Sequence, residues 1–166
     1  FQQMKKQGNG LATTSHYAYQ KADIVIVDIH LDIKKSKNDR IKDYTFSYDT
    51  YLESLKIIAT NITEKTLILI ETTVPPGTTE KIIAPLFKSC FQERGLSPDA
   101  LTLAHSYERV MPGPNYIDSI QNFYRVYSGI DDESADSIEN FLRTIIKTDE
   151  YPLTRLGNTN ATEISK

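Results

Sequence analysis

Cysteine is nearly absent from this 166-residue chain: Cys90 stands alone. One thiol cannot form an intrachain disulfide, which excludes a disulfide-stapled secreted scaffold and fits a reducing, cytoplasmic setting. Charge of one sign is also lacking. Lys plus Arg number 19 against 22 Asp plus Glu, so no field gathers nucleic acid or anionic lipid, and neither is expected as a partner. Long apolar runs are missing too. The longest, such as Ile24 to Val27 and Leu67 to Ile70, are far too short to cross a bilayer, so no membrane partner is expected. Phe1-Gln2-Gln3-Met4-Lys5-Lys6 carries lysines with no apolar segment behind them, unlike a signal peptide, and reads as a chain entered partway through a helix.

Glycine is sparse where a dinucleotide-binding sheet normally needs it. No Gly-x-Gly-x-x-Gly turn is present; Gly8 and Gly10 follow no strand and precede no helix, and Gly8-Asn9-Gly10 reads as a turn after a helix. No pair of His, Cys, Asp or Glu has the spacing of metal ligands on one helix or hairpin, so no metal is expected. There is no internal repeat.

What is present alternates between strand and helix, in a length sufficient for one ordinary core. Ala22 to Ile29 (ADIVIVDI) is a β-branched run that predicts a central strand buried on both faces. Asp32 to Asp43 is polar and aperiodic and reads as a solvated loop. Leu52, Leu55, Ile58, Ala59 and Ile62 mark one face of a helix, with Thr50 and Glu53 spaced as a capping box. Thr66 to Ile70 is a second buried strand. Ile82, Ile83, Leu86, Phe87, Cys90 and Phe91 stripe a helix that ends at Gly95 and that Pro85 should bend or break in its first turns.

Leu101 to Ala104 and Tyr124 to Ser128 are further strands, separated by a long loop. Ala135, Ile138, Phe141, Leu142, Ile145 and Ile146 give a third helix, Tyr151 to Leu156 an edge strand, and Asn158 to Lys166 the start of another helix. This order specifies an α/β fold: a partial Rossmann-like, doubly wound, mainly parallel sheet with helices on both faces. In such sheets ligands bind beyond the carboxyl ends of the strands, which directs attention to Asp28 to Asp32, Glu71 to Thr79 and His105 to Gly113.

Two of these segments carry reactive side chains. Glu71-Thr72-Thr73-Val74-Pro75-Pro76-Gly77-Thr78-Thr79 runs from a strand end into a helix start. It offers hydroxyls and exposed N–H groups that can accept an anion or position a water; alternatively Thr78 or Thr79 simply caps the helix. His105 to Asn115 (HSYERVMPGPN) gathers an imidazole, an acid, a base and a hydroxyl. Glu108 can act as general base or bond a sugar hydroxyl, or it can form a surface ion pair with Arg109. His105 and Cys90 both have a structural reading, as a satisfied histidine and a small buried hydrophobe.

The collinear set LATT at Leu11 to Thr14, ADIVIVDI, ETTVPPGTTEKIIAP at Glu71 to Pro85, HSYERVMPGPNY at His105 to Tyr116 and TEISK at Thr162 to Lys166 resembles the UDP-glucose/GDP-mannose dehydrogenase family, in its UDP-N-acetylhexosamine branch. That resemblance implies an NAD cofactor and a UDP-sugar substrate, with the C6 hydroxymethyl oxidised to a carboxylate by two hydride transfers through a cysteine-bound intermediate. It implies that Thr72, Thr73 and Val74 contact NAD, that Thr73 also holds a water near the reacting carbon, and that Glu108 does acid/base work. Arg109, Val110, Met111 and Pro112 would join Glu108 in contacting substrate, and Lys166 would stabilise oxyanion charge. Residues 1–155 would be an NAD-binding domain without its glycine-rich first unit, and residues 156–166 the start of a central connecting helix. The nucleophilic cysteine would lie beyond Lys166, making this chain an inactive internal piece of a homo-oligomeric enzyme. Tyr107 stands where many relatives carry proline, and His30-Leu31-Asp32 replaces a Thr-Pro pair. A β-hydroxyacid-type dehydrogenase with one hydride transfer, and a non-catalytic binding or assembly module, are the alternatives.

Overall fold

A computed structural model describes residues 6–31, 33–34 and 45–165. A five-stranded sheet runs in the order β1 (Ile24–Val27), β4 (Leu67–Ile70), β5 (Thr102–His105), β6 (Arg125–Gly129), β7 (Leu153–Arg155). The two-residue strands β2 (Ile33–Lys34) and β3 (Thr45–Phe46) pair antiparallel as a separate ribbon. Strand pairing thus begins inside the stretch read as loop, whose residues 35–43 lie outside the described residues.

β4 shows why the sheet has two cores. All four of its side chains are buried, and strand alternation sends them to opposite faces. Ile68 and Ile70 join Val25, Val27, Leu103 and the apolar stripes of α1 (Asp49–Asn61) and α2 (Ala84–Glu93). Leu67 and Leu69 meet Ala104, Tyr127 and the inner face of α4 (Asp132–Arg143), through Ile138 and Leu142. Each fully buried aliphatic side chain contributes about 1.5–3 kcal/mol relative to exposure. Helices therefore cover both faces, as expected.

β1 departs from expectation. Among the described residues it borders the sheet, with β4 as its strand neighbour. Val25 and Val27 are buried, but Ile26 is 46 % exposed because α4 packs over β4, β5 and β6 and does not extend across β1. A continuous apolar run cannot by itself distinguish an edge position from a central one. The sheet is parallel from β1 through β5, whereas β6 runs antiparallel to β5 and β7 parallel to β6.

Helix ends follow local chemistry. α1 starts at Asp49, whose N–H donates to Ser47 Oγ at 3.1 Å, so Thr50 lies inside the first turn and no Thr50–Glu53 box forms. Residues Thr79–Ile83 form a widened π-type turn, and α2 proper begins with the Ala84 N–H bonded to the Thr79 carbonyl. Pro85, which has no N–H to give to a carbonyl four residues back, falls at this change of register. α2 ends at Gly95, in the left-handed region at φ +73°, and Arg94 reaches across to the Ala59 and Ile62 carbonyls at the end of α1 (2.8 and 2.7 Å). α3 (Tyr116–Gln121) lies in the β5–β6 connection, and α5 (Thr159–Ile164) follows β7 with Asn158 as its cap. No helix among the described residues is long and apolar enough to cross a membrane.

Candidate active site

The carboxyl ends of β1 and β4 open into a cleft of about 290 Å³ lined by Asp28–Leu31, Glu71, Thr72, Thr73 and Glu108. The site residues divide by what holds them. The Thr72 hydroxyl is buried and accepts the Ile29 N–H (3.0 Å) while facing the Val27 and Ile29 carbonyls at 3.2 and 2.9 Å. It locks the exit of β1 to that of β4, together with the Thr72 N–H, which donates to the Val27 carbonyl at 3.1 Å. Thr73 is exposed to the cleft, with its hydroxyl available. Val74 turns inward and is 5 % exposed, in the core beneath α2.

Beneath the cleft lies an ion pair that sequence patterns did not mark. Arg125, at the start of β6 and 4 % exposed, pairs with Glu71 and donates from Nε to Ser106 Oγ (3.0 Å) and from Nη2 to the Ser106 carbonyl (3.2 Å). Burial pushes the Glu71 carboxyl above the usual range, Arg125 opposes the shift, and Asp28 and Glu108 add to it. One visible signal was available: Arg125 shares the inward parity of Tyr127 on a strand, and an inward charge requires a partner.

Glu108 separates this cleft from a second of about 290 Å³, lined by Glu108, Arg109, Val110, Met111 and Phe123. Its carboxylate accepts the Val110 N–H at 2.5 Å, which orients it. The Arg109 guanidinium lies over the rings of Phe123 (5.0 Å) and Tyr107 (5.4 Å). Met111 is 57 % exposed and Pro112 is exposed; the Met111 N–H donates to Ser119 Oγ at 3.0 Å. Four of the five residues expected to contact substrate thus share one pocket, with Pro112 at the following turn.

α5 is keyed into this arrangement at three points. Thr162 Oγ1 donates to the Thr159 carbonyl (2.8 Å), so it accepts from His105 Nδ1 at 2.8 Å and from Ser128 Oγ at 3.0 Å. His105, 1 % exposed, is therefore a structural link between β5 and α5. Tyr107 donates from its hydroxyl to the Ser165 carbonyl at 3.1 Å. The third point overturns an expectation: the N–H groups of Gly77 and Thr79 are not open to an anion, because the buried Glu163 carboxylate accepts both, the Thr79 bond measuring 2.7 Å. Neither does Thr78 or Thr79 supply the cap. The Thr78 hydroxyl donates to the Pro75 carbonyl (2.6 Å) and meets Tyr48 Oη (2.8 Å). Lys166 lies outside the described residues, as does Asp32.

NAD fits part of this surface. Exposed Thr73, the strand-end backbone and the Asp28, Glu71 and Glu108 carboxylates suit the hydroxyl-rich and uncharged portions of a dinucleotide. The same carboxylates, with the turn amides taken by Glu163, do not suit its pyrophosphate. Among the described residues no three His, Cys, Asp or Glu side chains gather to hold a metal ion.

The chain matches the UDP-glucose/GDP-mannose dehydrogenase family, NAD binding domain, over residues 3–147. It is 32 % identical over 114 residues to a UDP-N-acetyl-D-mannosamine dehydrogenase of Pyrococcus horikoshii, covering 68 % of this chain and 25 % of that protein. To the protein of the same description from Methanocaldococcus jannaschii it is 30 % identical over 127 residues, covering 76 % and 26 %. In fold it is similar to an NDP-N-acetyl-D-galactosaminuronic acid dehydrogenase of Methanosarcina mazei, with a TM-score of 0.80 at 22 % identity over 97 % of this chain and 32 % of that one. The chain spans about a quarter of the length of the curated relatives.

Proposed function

Because the chain belongs to the UDP-glucose/GDP-mannose dehydrogenase family and corresponds to its NAD-binding domain, we propose that it is the middle part of an NAD-dependent enzyme oxidising the C6 hydroxymethyl of a UDP-N-acetylhexosamine to a carboxylate. The observation that carries the reading is the meeting of Thr73 and Glu108 at one cleft beyond the parallel strands. Taking a primary alcohol to a carboxylate removes four electrons and adds one water oxygen, so each turnover requires two NAD and one water. Bound NAD supplies the hydride acceptor.

On this reading Thr72 and Val74 hold the strand exit against which the cofactor lies, and the free Thr73 hydroxyl positions the water. Glu108, shared between the cleft and the Arg109–Met111 pocket, takes the proton of that water as it attacks. Arg109, Val110, Met111 and Pro112 line the substrate side. Lys166 offers a cation to the developing oxyanion. The thiol that captures the aldehyde is not Cys90, which is buried in the core between α1 and α2, where burial pushes its pKa up. Residues 1–155 then form the NAD-binding domain and 156–166 open the connecting helix. The complete enzyme is a cytosolic homo-oligomer.

The test is stoichiometry. The complete protein should release two NADH per UDP-sugar, and Thr73→Ala and Glu108→Gln should lower kcat by about 10²–10⁴-fold. The 166-residue chain alone should release none. One NADH per turnover would replace this reading with a single-hydride dehydrogenase, and no NADH from the complete protein with a binding module.

A further inference from the structure

The Glu163 carboxylate is 6 % exposed and its two oxygens accept the N–H groups of Gly77 and Thr79. These amides begin the helix that follows the threonine-bearing strand exit, where the helix dipole favours an anion. Gly77 is fitted to the contact by its left-handed conformation at φ +86°. The turn between Thr73 and Thr79 is also braced by the Thr78 hydroxyl, which bonds the Pro75 carbonyl within the turn and Tyr48 Oη ahead of α1. Glu163 joins it to α5, which is held in turn by His105 and Ser128 through Thr162 and by Tyr107 through Ser165. The short helix that ends just before Lys166 is thereby tied both to the turn that follows Thr73 and to the segment that leads into Glu108.

We propose that Glu163 is a positioning residue that sets the register of α5 on the threonine turn, so that Thr73 keeps its place relative to Glu108 across the cleft they share. This rests on the site proposed above, in which Thr73 and Glu108 share one cleft. A carboxylate suits the task because it offers two acceptors on one rigid plane to two diverging N–H groups. A glutamine of the same shape keeps one acceptor and turns a donor toward the other N–H. A register error on the order of 1 Å at such a distance from the chemistry is enough to cost about 10²-fold in rate.

The experiment compares Glu163→Gln, Lys166→Ala and the unaltered complete protein by steady-state kinetics and by NMR hydrogen exchange. In Glu163→Gln the Gly77 and Thr79 amides should exchange faster together with those of residues 161–165. Its kcat should fall about 10- to 100-fold while KM for the UDP-sugar changes less than about threefold. If exchange speeds up but kcat holds, Glu163 is only a helix cap and the proposal is overturned; unchanged exchange, whatever the rate, overturns it as well. Lys166→Ala should lose activity with exchange unaltered, and full activity in that variant would instead sink the reading of the site. If Glu163→Gln does not fold, Glu163→Asp, which keeps both acceptors on a shorter arm, is judged by the same criteria.

Discussion

Arg125 and Thr72 show how few groups support the cleft. Burial raises the Glu71 pKa against the pull of Arg125. Since the folded state then holds the Glu71 proton more tightly than the unfolded chain, the stability Glu71 contributes is fully present below its unfolded pKa and is lost as pH rises through the higher folded one. Arg125→Met removes the opposing charge and widens that loss. We expect about 3–5 kcal/mol of destabilisation near pH 8 and clearly less near pH 4, where Glu71 is protonated; urea unfolding at both pH values measures it, and equal losses would exclude Glu71 as the responsible group. Thr72→Val leaves the Ile29 N–H without its hydroxyl acceptor and should cost about 1–3 kcal/mol in the same assay. The segments that carry Thr73 and Glu108 were legible because each residue stands three positions past a strand end, while the roles expected of them came from the family resemblance. The partners of Arg125 and Glu163 were not legible, because they lie 54 and more than 80 residues away; the strand parity of Arg125 shows that it needs a partner but not which one.

Elements were legible wherever a stripe was strong. The α4 stripe buries Ala135, Ile138 and Leu142 as the spacing required, and Gly95 ends α2 where glycine predicts. Strand direction was not legible, since alternation reads the same from either end, and so the reversal of β6 against β5 had no signature. Gly129 ends β6 and lies under the first turn of α4, which begins three residues later. A Cβ there would stand 2.3 Å from the Ala135 nitrogen and 2.6 Å from both the Asp131 carbonyl oxygen and Ser134 Cβ, contacts that no rotamer change relieves. Gly129→Ala should therefore destabilise by about 3 kcal/mol or more, read as a lowered urea midpoint. A midpoint within experimental error of the parent would mean that α4 can shift away from the sheet.

The two faces of the sheet are unequal, because the core under α1 and α2 buries Val25 and Val27 of β1 whereas the one under α4 takes only the partly buried Ile24 from that strand. Exposed Ile26 and the outer edge of β1 together make a surface that strands pair with readily. The 166-residue chain should self-associate at micromolar concentrations in sedimentation velocity, and Ile26→Lys should shift it toward monomer; identical profiles would exclude this edge. The Glu163 contact, finally, has a consequence in time. It closes loops of 84 and 86 residues, and closure entropy places such contacts late in folding. A chain emerging from the ribosome presents the threonine turn long before its carboxylate partner, so the turn waits with its amides in water. Pulse-labelled refolding should protect Gly77 and Thr79 only in the final phase, making the anchored turn the last thing this polypeptide acquires.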